Sequence, residues 1–137
     1  MRIKDAMSTD VATLQATDSL AKAREVMETK RIRQIPVVDG EGRVVGIISK
    51  RDIYAASVSN LTEHYERSKN LLEGRLEVAQ IMTKEVETVE ADEPLAAAAI
   101  KLQEMRIGAL PVIENGKLVG IISSSDFLGI AVMLLER

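Results

Sequence analysis

Apolar and polar positions follow two periods along this chain, and the change from one to the other occurs twice in the same order. Leu20, Ala23 and Met27 stand at helical spacing and predict a helix over residues 20–30, capped by Asp18 or Ser19. Ile35-Pro36-Val37-Val38 is an unbroken apolar run that reads as a buried strand. Pro36 is expected near its start, where a missing N–H does least harm. Asp39-Gly40-Glu41-Gly42 reads as the turn, residues 43–49 as the return strand, and Lys50 or Arg51 as the start of a second helix. Ahead of these, residues 3–7 predict a short helical turn or extended arm and residues 11–14 a short strand. The second pass repeats this order. Asp92 or Glu93 lies at a helix start with Pro94 near its first turn, and Leu95-Ala96-Ala97-Ala98-Ala99-Ile100 has high helix propensity. Asn115-Gly116 is a tighter hairpin turn of the kind that favours positive φ.

The order repeats because the residues do. Met7, Val11, Thr13, Leu20, Ala23, Arg31 and Ile32 recur 75 positions later as Met82, Val86, Thr88, Leu95, Ala98, Arg106 and Ile107. After the turn the offset is 74, so that Gly46, Ser49 and Asp52 recur as Gly120, Ser123 and Asp126. An internal repeat means that one small unit was duplicated. Units of about 55 residues bury surface poorly alone, so the two copies are expected to share an interface. The reading divides the chain into a first repeat at 1–56, an insertion at 57–76 without counterpart, and a second repeat at 77–137. The insertion carries Leu61, Tyr65, Leu72 and Leu76 among many charges and predicts a connecting surface helix.

Composition narrows the function classes. The 137 residues are 46% hydrophobic with only three aromatics, Tyr54, Tyr65 and Phe127. A net charge of −3 argues against an electrostatic nucleic-acid binder. The lack of cysteine fits a reducing cytoplasm and removes disulfides and thiolate chemistry. No signal peptide is read at the start, and the apolar stretch 127–135 is too short to span a bilayer. His64 is the single histidine, so the usual zinc sites are excluded and a Ser-His-Asp triad has nothing near its base. No catalytic residue and no metal ligand is assigned, and the chain is expected not to be an enzyme. The methionines fall mostly on apolar faces, where core packing is the ordinary role.

The repeated chemistry lies where the return strand meets the next helix. Free N–H groups at a helix start favour an anion. At Ser49-Lys50-Arg51-Asp52 the serine adds a hydroxyl, the two cations add charge, and arginine can fork onto a phosphate. An ionised Asp52 only accepts hydrogen bonds, which suits the two hydroxyls of a ribose. Together they form a nucleotide site without a phosphate-binding glycine loop. The same two residues also have the spacing of a helix cap, and both roles stay open on the residues alone.

The pattern M-[ST]-x-x-V, a helix, then P-V-V-D, a glycine turn and G-I-I-S-x-x-D resembles the CBS domain, named after cystathionine β-synthase. Two in tandem resemble a CBS pair, or Bateman module, similar to small CBS-pair proteins of the acetoin-utilisation type. No fused enzyme, channel or ACT domain is read. The resemblance covers almost all of the chain outside 57–76. It implies an α/β fold of two pseudo-symmetric repeats, each β-α-β-β-α, packed through their sheets. It also implies adenosyl ligands whose ribose and phosphate contact the Ser and Asp of the motif, in pockets shared between repeats. On that pattern one site pairs Ser49, Arg51 and Asp52 with Met82, Glu87, Ile107 and Gly108, beside the Lys50 charge. The other pairs Ser123, Ser125 and Asp126 with Met7, Ala12, Ile32 and Arg33. Backbone and aliphatic groups would hold the adenine, in keeping with a chain poor in aromatics.

The two sites differ. The first motif carries Lys50 and Arg51, and the second carries Ser124 and Ser125; Gly108 replaces Arg33. The Asp52 site is therefore expected to be the principal one and to suit a polyphosphate. The Asp126 site is expected to be weaker or to suit a ligand with little phosphate. Glu87 departs from the pattern in the base slot. AMP, ADP or ATP are the favoured ligands, with S-adenosylmethionine and NAD-type compounds open, and no cofactor is required. The reading is a regulatory module that changes geometry on binding and reports to an unidentified effector protein. The competing reading is a ligand-independent assembly module controlling a separate enzyme or transporter. Nucleic-acid binding through Arg31, Arg33, Lys50 and Arg51 is weaker still. The nearly continuous apolar segment 127–135 and the alanine-rich helix also point to a homodimer.

Overall fold

The computed structural model describes residues 1–58 and 74–137. His64 and most of the segment read as a connecting helix lie outside the described residues. Two compact units are formed. One joins Met1–Val11 to Glu87–Arg137, and the other is the continuous stretch Ala12–Val86. In sequence the repeats follow one another; in packing, each includes the arm that precedes the other repeat.

In the Ala12–Val86 unit, helix α2 (Leu20–Lys30) begins at Ser19, whose side chain accepts a hydrogen bond from the Lys22 N–H at 3.1 Å. Strands β1 (Gln34–Val38) and β2 (Val44–Ser49) pair antiparallel with Gln34 opposite Ser49. Asp39 holds their turn by accepting from the N–H groups of Glu41 and Arg43 at 2.9 and 3.0 Å. These two bonds, reinforced by the Arg43 charge, hold its carboxyl below the usual aspartate range. Helix α3 (Lys50–Val58) follows β2 directly. The arm of this unit carries helix α4 (Val78–Ile81).

The other unit repeats the plan. Its arm carries helix α1 (Ile3–Ala6), and strand β3 (Val89–Glu90), helix α5 (Leu95–Met105), strands β4 (Ala109–Glu114) and β5 (Lys117–Ser123) and helix α6 (Ser124–Leu135) follow. The sheet order is β3-β4-β5, parallel then antiparallel. Its hairpin turns through Asn115 and Gly116 at φ 54° and 78°, the left-handed pair expected of that dipeptide.

Three local expectations are corrected. Residues 11–14 form no strand; Leu14 alone bridges Val37, in parallel. Pro36 sits in the middle of β1, not at its start. It is tolerated there because its nitrogen faces the Leu14 side, where the bridge uses only the Pro36 carbonyl and the Val38 N–H, at 3.1 and 2.9 Å. Pro94 is the cap of α5 and lies outside the helix, with extended ψ of 142°.

The arms dock by the same bonds. Ser8 and Ile121 exchange two backbone hydrogen bonds at 2.9 and 3.0 Å, as do Thr83 and Ile47. The Met1 carbonyl accepts the first N–H of α5, and the Leu76 carbonyl the first N–H of α2, so each arm satisfies one of the free N–H groups at a helix start. Ile3 and Val78 are fully buried at the centre of the two cores, beside Leu110 and Ile122 in one and Ile35 and Ile48 in the other. The arm methionines then cross a glycine. A β-carbon at Gly46 would lie 2.4 Å from the Met82 sulfur, and one at Gly120 would lie 2.5 Å from the Met7 sulfur and 2.9 Å from the Ser8 carbonyl oxygen.

Two predictions follow from the docking of the arms. Gly120→Ala is expected to destabilise by about 1–3 kcal/mol in denaturant titration, with no rescue by Met7→Ala because the Ser8 backbone also blocks the position. Gly46→Ala meets only a flexible side chain, so Met82→Ala should recover most of its smaller loss. The second concerns the ion pair of Lys4 with Asp92, at 2.8 Å. This contact lowers the Asp92 carboxyl from its ordinary 3.8 and raises the Lys4 amine from its ordinary 10.5. The Asp92 contribution is present above pH 3.8 and lost as pH falls through the lowered value; the Lys4 contribution is present below pH 10.5 and lost as pH rises through the raised one. Amide protection of Ile3 and Lys4 should therefore fall outside that window, and Asp92→Asn should remove both limbs of the profile.

Candidate functional site

Each Ser-x-x-Asp motif begins on the last residue of a return strand and ends in the first turn of a helix. The strand register fixes the serine, because Gln34 pairs with Ser49 and Ala109 with Ser123. In the first motif the Ser49 N–H donates to Asp52 Oδ2 at 2.8 Å, and the Asp52 N–H donates to Ser49 Oγ at 3.0 Å. This is a reciprocal helix cap. In the second motif the Ser123 N–H donates to Asp126 Oδ2 at 2.8 Å, and the Ser123 hydroxyl lies 3.2 Å from the same oxygen. Capping is thus a role these residues play in the fold. It leaves Oδ1 of each aspartate without a hydrogen-bond partner among the described residues, and both aspartates are half-buried. A carboxylate held by one oxygen with the other open is able to accept from a sugar hydroxyl.

The next N–H of each helix is bonded across the hairpin. Lys50 N–H donates to the Arg33 carbonyl at 2.8 Å, and Ser124 N–H to the Gly108 carbonyl at 3.0 Å. Residues 33 and 108 are placed there by a feature that sequence reasoning missed. Arg31 and Arg106 end α2 and α5 in the left-handed conformation, at φ 54° and 55°. Ile32 and Ile107 then return their N–H groups to Met27 and Leu102 carbonyls at 3.1 and 3.2 Å. The basic residues at the helix ends suggested dipole compensation; nothing in an arginine announces a positive φ, which usually falls to glycine or asparagine.

The units sort the candidate residues. Ala12, Ile32, Arg33 and Met82 share a unit with Ser49, Lys50, Arg51 and Asp52. Met7, Glu87, Ile107 and Gly108 share one with Ser123, Ser125 and Asp126. Met82 and Met7 thus accompany the motifs with which they were paired. The direct bonds of residues 33 and 108 run to the motif of their own unit. Glu87 is not alone: Lys101 Nζ lies 3.0 Å from its carboxylate and donates to the Thr88 carbonyl at 2.8 Å. The spacing of 14 residues between Glu87 and Lys101 gave no sign of this pair. Among the described residues no group of three or more His, Cys, Asp or Glu is placed to hold a metal ion. Among them, too, no helix is long and apolar enough to cross a membrane.

The family model of the CBS domain matches residues 3–59 and 78–132, one match for each repeat. The chain belongs to the CBS domain family. This CBS pair is 32% identical over 137 residues to a CBS domain-containing protein of Dictyostelium discoideum, covering 98% of this chain and 93% of that protein. It is also 32% identical over 125 residues to a homoserine O-acetyltransferase of Methanococcus vannielii, covering 90% of this chain and 23% of the enzyme. The CBS pair therefore spans about a quarter of the length of such enzymes. Among solved structures it is similar to a Vibrio cholerae chain assigned to acetoin utilization (AcuB), at TM-score 0.83 and 35% identity, covering 99% and 93% of the two chains. It is similar to the CBS domain pair of protein MJ0100 in complex with 5′-methylthioadenosine and S-adenosyl-L-methionine, at TM-score 0.83 and 28% identity, covering 98% of each. The same holds for CBSX2 in complex with AMP, at TM-score 0.82 and 25% identity, covering 97% of each.

The caps carry their own test. Ser49→Ala should lower the unfolding free energy of the ligand-free protein by about 0.5–2 kcal/mol in denaturant titration, and Ser49→Thr should retain most of it.

Proposed function

We propose that this CBS pair is a non-catalytic regulatory module that binds an adenosyl ligand, with AMP, ADP or ATP favoured over S-adenosylmethionine. The observation that carries the reading is the Ser-x-x-Asp strand-to-helix junction, present in both repeats and holding one carboxylate oxygen open in each. Family membership and relatives crystallised with AMP, or with S-adenosyl-L-methionine and 5′-methylthioadenosine, support it. Helix N–H groups and the motif serine would receive a phosphate, the aspartate would accept from the ribose, and Ile32, Ile107, Met7 and Met82 offer aliphatic surface for the base. Ala12 and Glu87 occupy the matching position ahead of each base slot. The Asp52 site is the principal one. Binding alters the module's geometry only if affinity differs between two arrangements. The recipient is a separate effector, and the match to about a quarter of an acyltransferase supports a catalytic one. We place the module in the cytoplasm, with no part in membrane or nucleic-acid binding.

A specific observation favours a second reading, assembly through a protein interface. Helix α6 has no buried residue, and Leu128, Val132, Met133, Leu134 and Leu135 are exposed on it. A homodimer or an effector covering that helix would account for them.

Isothermal titration with AMP, ATP and S-adenosylmethionine separates the readings. The expected result is binding that is lost in Asp52→Ala and largely kept in Asp126→Ala. Absence of binding by all three compounds would sink the sensor and leave the assembly module.

A further inference from the structure

Two of the six methionines occupy the same place, one in each unit. The Met7 sulfur lies 2.5 Å from where a β-carbon of Gly120 would stand, and the Met82 sulfur 2.4 Å from the same position at Gly46. Each thioether thus fills the room left by a missing side chain on a return strand. Each is one residue from a reciprocal pair of backbone bonds, Ser8 with Ile121 and Thr83 with Ile47. Both methionines are half-buried, so solvent reaches them while they pack against the core that holds Ile3 or Val78. The other four methionines are placed differently. Met1, Met105 and Met133 are 75%, 44% and 73% exposed, and Met27 is 4% exposed inside its core. A thioether is the soft, oxidisable group of an apolar side chain, and the arm methionines alone combine access to solvent with a docking contact.

We propose that Met7 and Met82 are modification sites that act as latches: oxidation by hydrogen peroxide to the sulfoxide undocks the arm to which each belongs. In the step, the sulfur attacks one peroxide oxygen and an S–O bond forms as the O–O bond breaks. The departing hydroxide takes the proton of the transferred oxygen and leaves as water. The thioether is oxidised by two electrons and the peroxide is reduced. A sulfoxide is polar, chiral and larger by one oxygen. The room over each glycine is already filled by the sulfur. The N–H groups of the following residues, Ser8 and Thr83, are committed to the Ile121 and Ile47 carbonyls. The new oxygen therefore breaks into that bridge or turns its side chain away from the core, and either course loosens the arm. The change is reversible, because sulfoxide reductases restore the thioether of each epimer. The return strands so released are the ones that end at Ser49 and Ser123, so the state of the sulfur reaches both strand-to-helix junctions.

The test treats the full chain with hydrogen peroxide, locates sulfoxides by peptide mass spectrometry and follows amide exchange residue by residue. Exchange at Ser8 and Ile121 should quicken by about tenfold as Met7 is oxidised, and at Thr83 and Ile47 as Met82 is, the change expected of one polar group left without a partner. Sulfoxide reductases with a dithiol should restore the slow exchange. Met7→Leu combined with Met82→Leu keeps the volume and should leave the arms docked and deaf to peroxide. Met105→Leu combined with Met133→Leu should respond as the unmodified protein does, and this pair decides the matter if the arm variant fails to fold. Unchanged exchange in protein fully oxidised at Met7 and Met82 would overturn the proposal. So would oxidation of these two no faster than that of Met27, a response that persists in the folded arm variant, or one that vanishes in the Met105 and Met133 variant.

Discussion

Two reciprocal hydrogen-bonded bridges, Ser8 with Ile121 and Thr83 with Ile47, close the outer edges of the return strands. Without them β2 and β5 would be edge strands with unpaired backbone groups in a chain rich in valine and isoleucine. The bridges require a backbone to approach closely, and the approach requires Gly46 and Gly120, where the arm methionines occupy the space of a side chain. Once the return strand is fixed in register, Ser49 and Ser123 must fall at its end and the helix must begin where it does. The position of each strand-to-helix junction thus depends on a contact made by an arm.

The two motifs show how the end of a strand and the start of a helix share residues. A ligand-free helix start needs acceptors for its N–H groups, and Ser and Asp supply them. The half-buried aspartates keep their other oxygen uncommitted among the described residues.

Much of this was legible in the sequence because the signals were local. Ser19 capping α2, the Asp39 turn, the Asn115-Gly116 hairpin and the helix starts at Lys50 and Ser124 are written in adjacent residues. The repeat offset, by pairing Gly46 with Gly120 and Met7 with Met82, marked the residues that later proved to touch. What could not be read were relations between distant segments. Residues 11–14 look like a strand, but only Leu14 finds a partner, because the arm leaves after a single bridge. Pro36 in mid-strand is acceptable only because of which edge its nitrogen faces. The left-handed Arg31 and Arg106, the Glu87–Lys101 pair and the exchange of arms have no signature along the chain, since each is decided by what a residue meets after folding.

The exchange of arms also sets an order of events during synthesis. The Ala12–Val86 unit is continuous, so its whole core has been made once Val86 has left the ribosome. The other unit is split, with Met1–Val11 separated from Glu87–Arg137 by the whole of the first. Its arm, with Ile3 destined for full burial, has to wait while the intervening 75 residues, 12–86, are produced and Glu87–Arg137 follows. At translation rates of about 5–20 residues per second, that interval lasts several seconds. During it an apolar segment of the nascent chain stands without its partner. The charges of Arg2, Lys4 and Asp5 around Ile3 suit that wait: they keep the arm solvated until the strand that receives it exists.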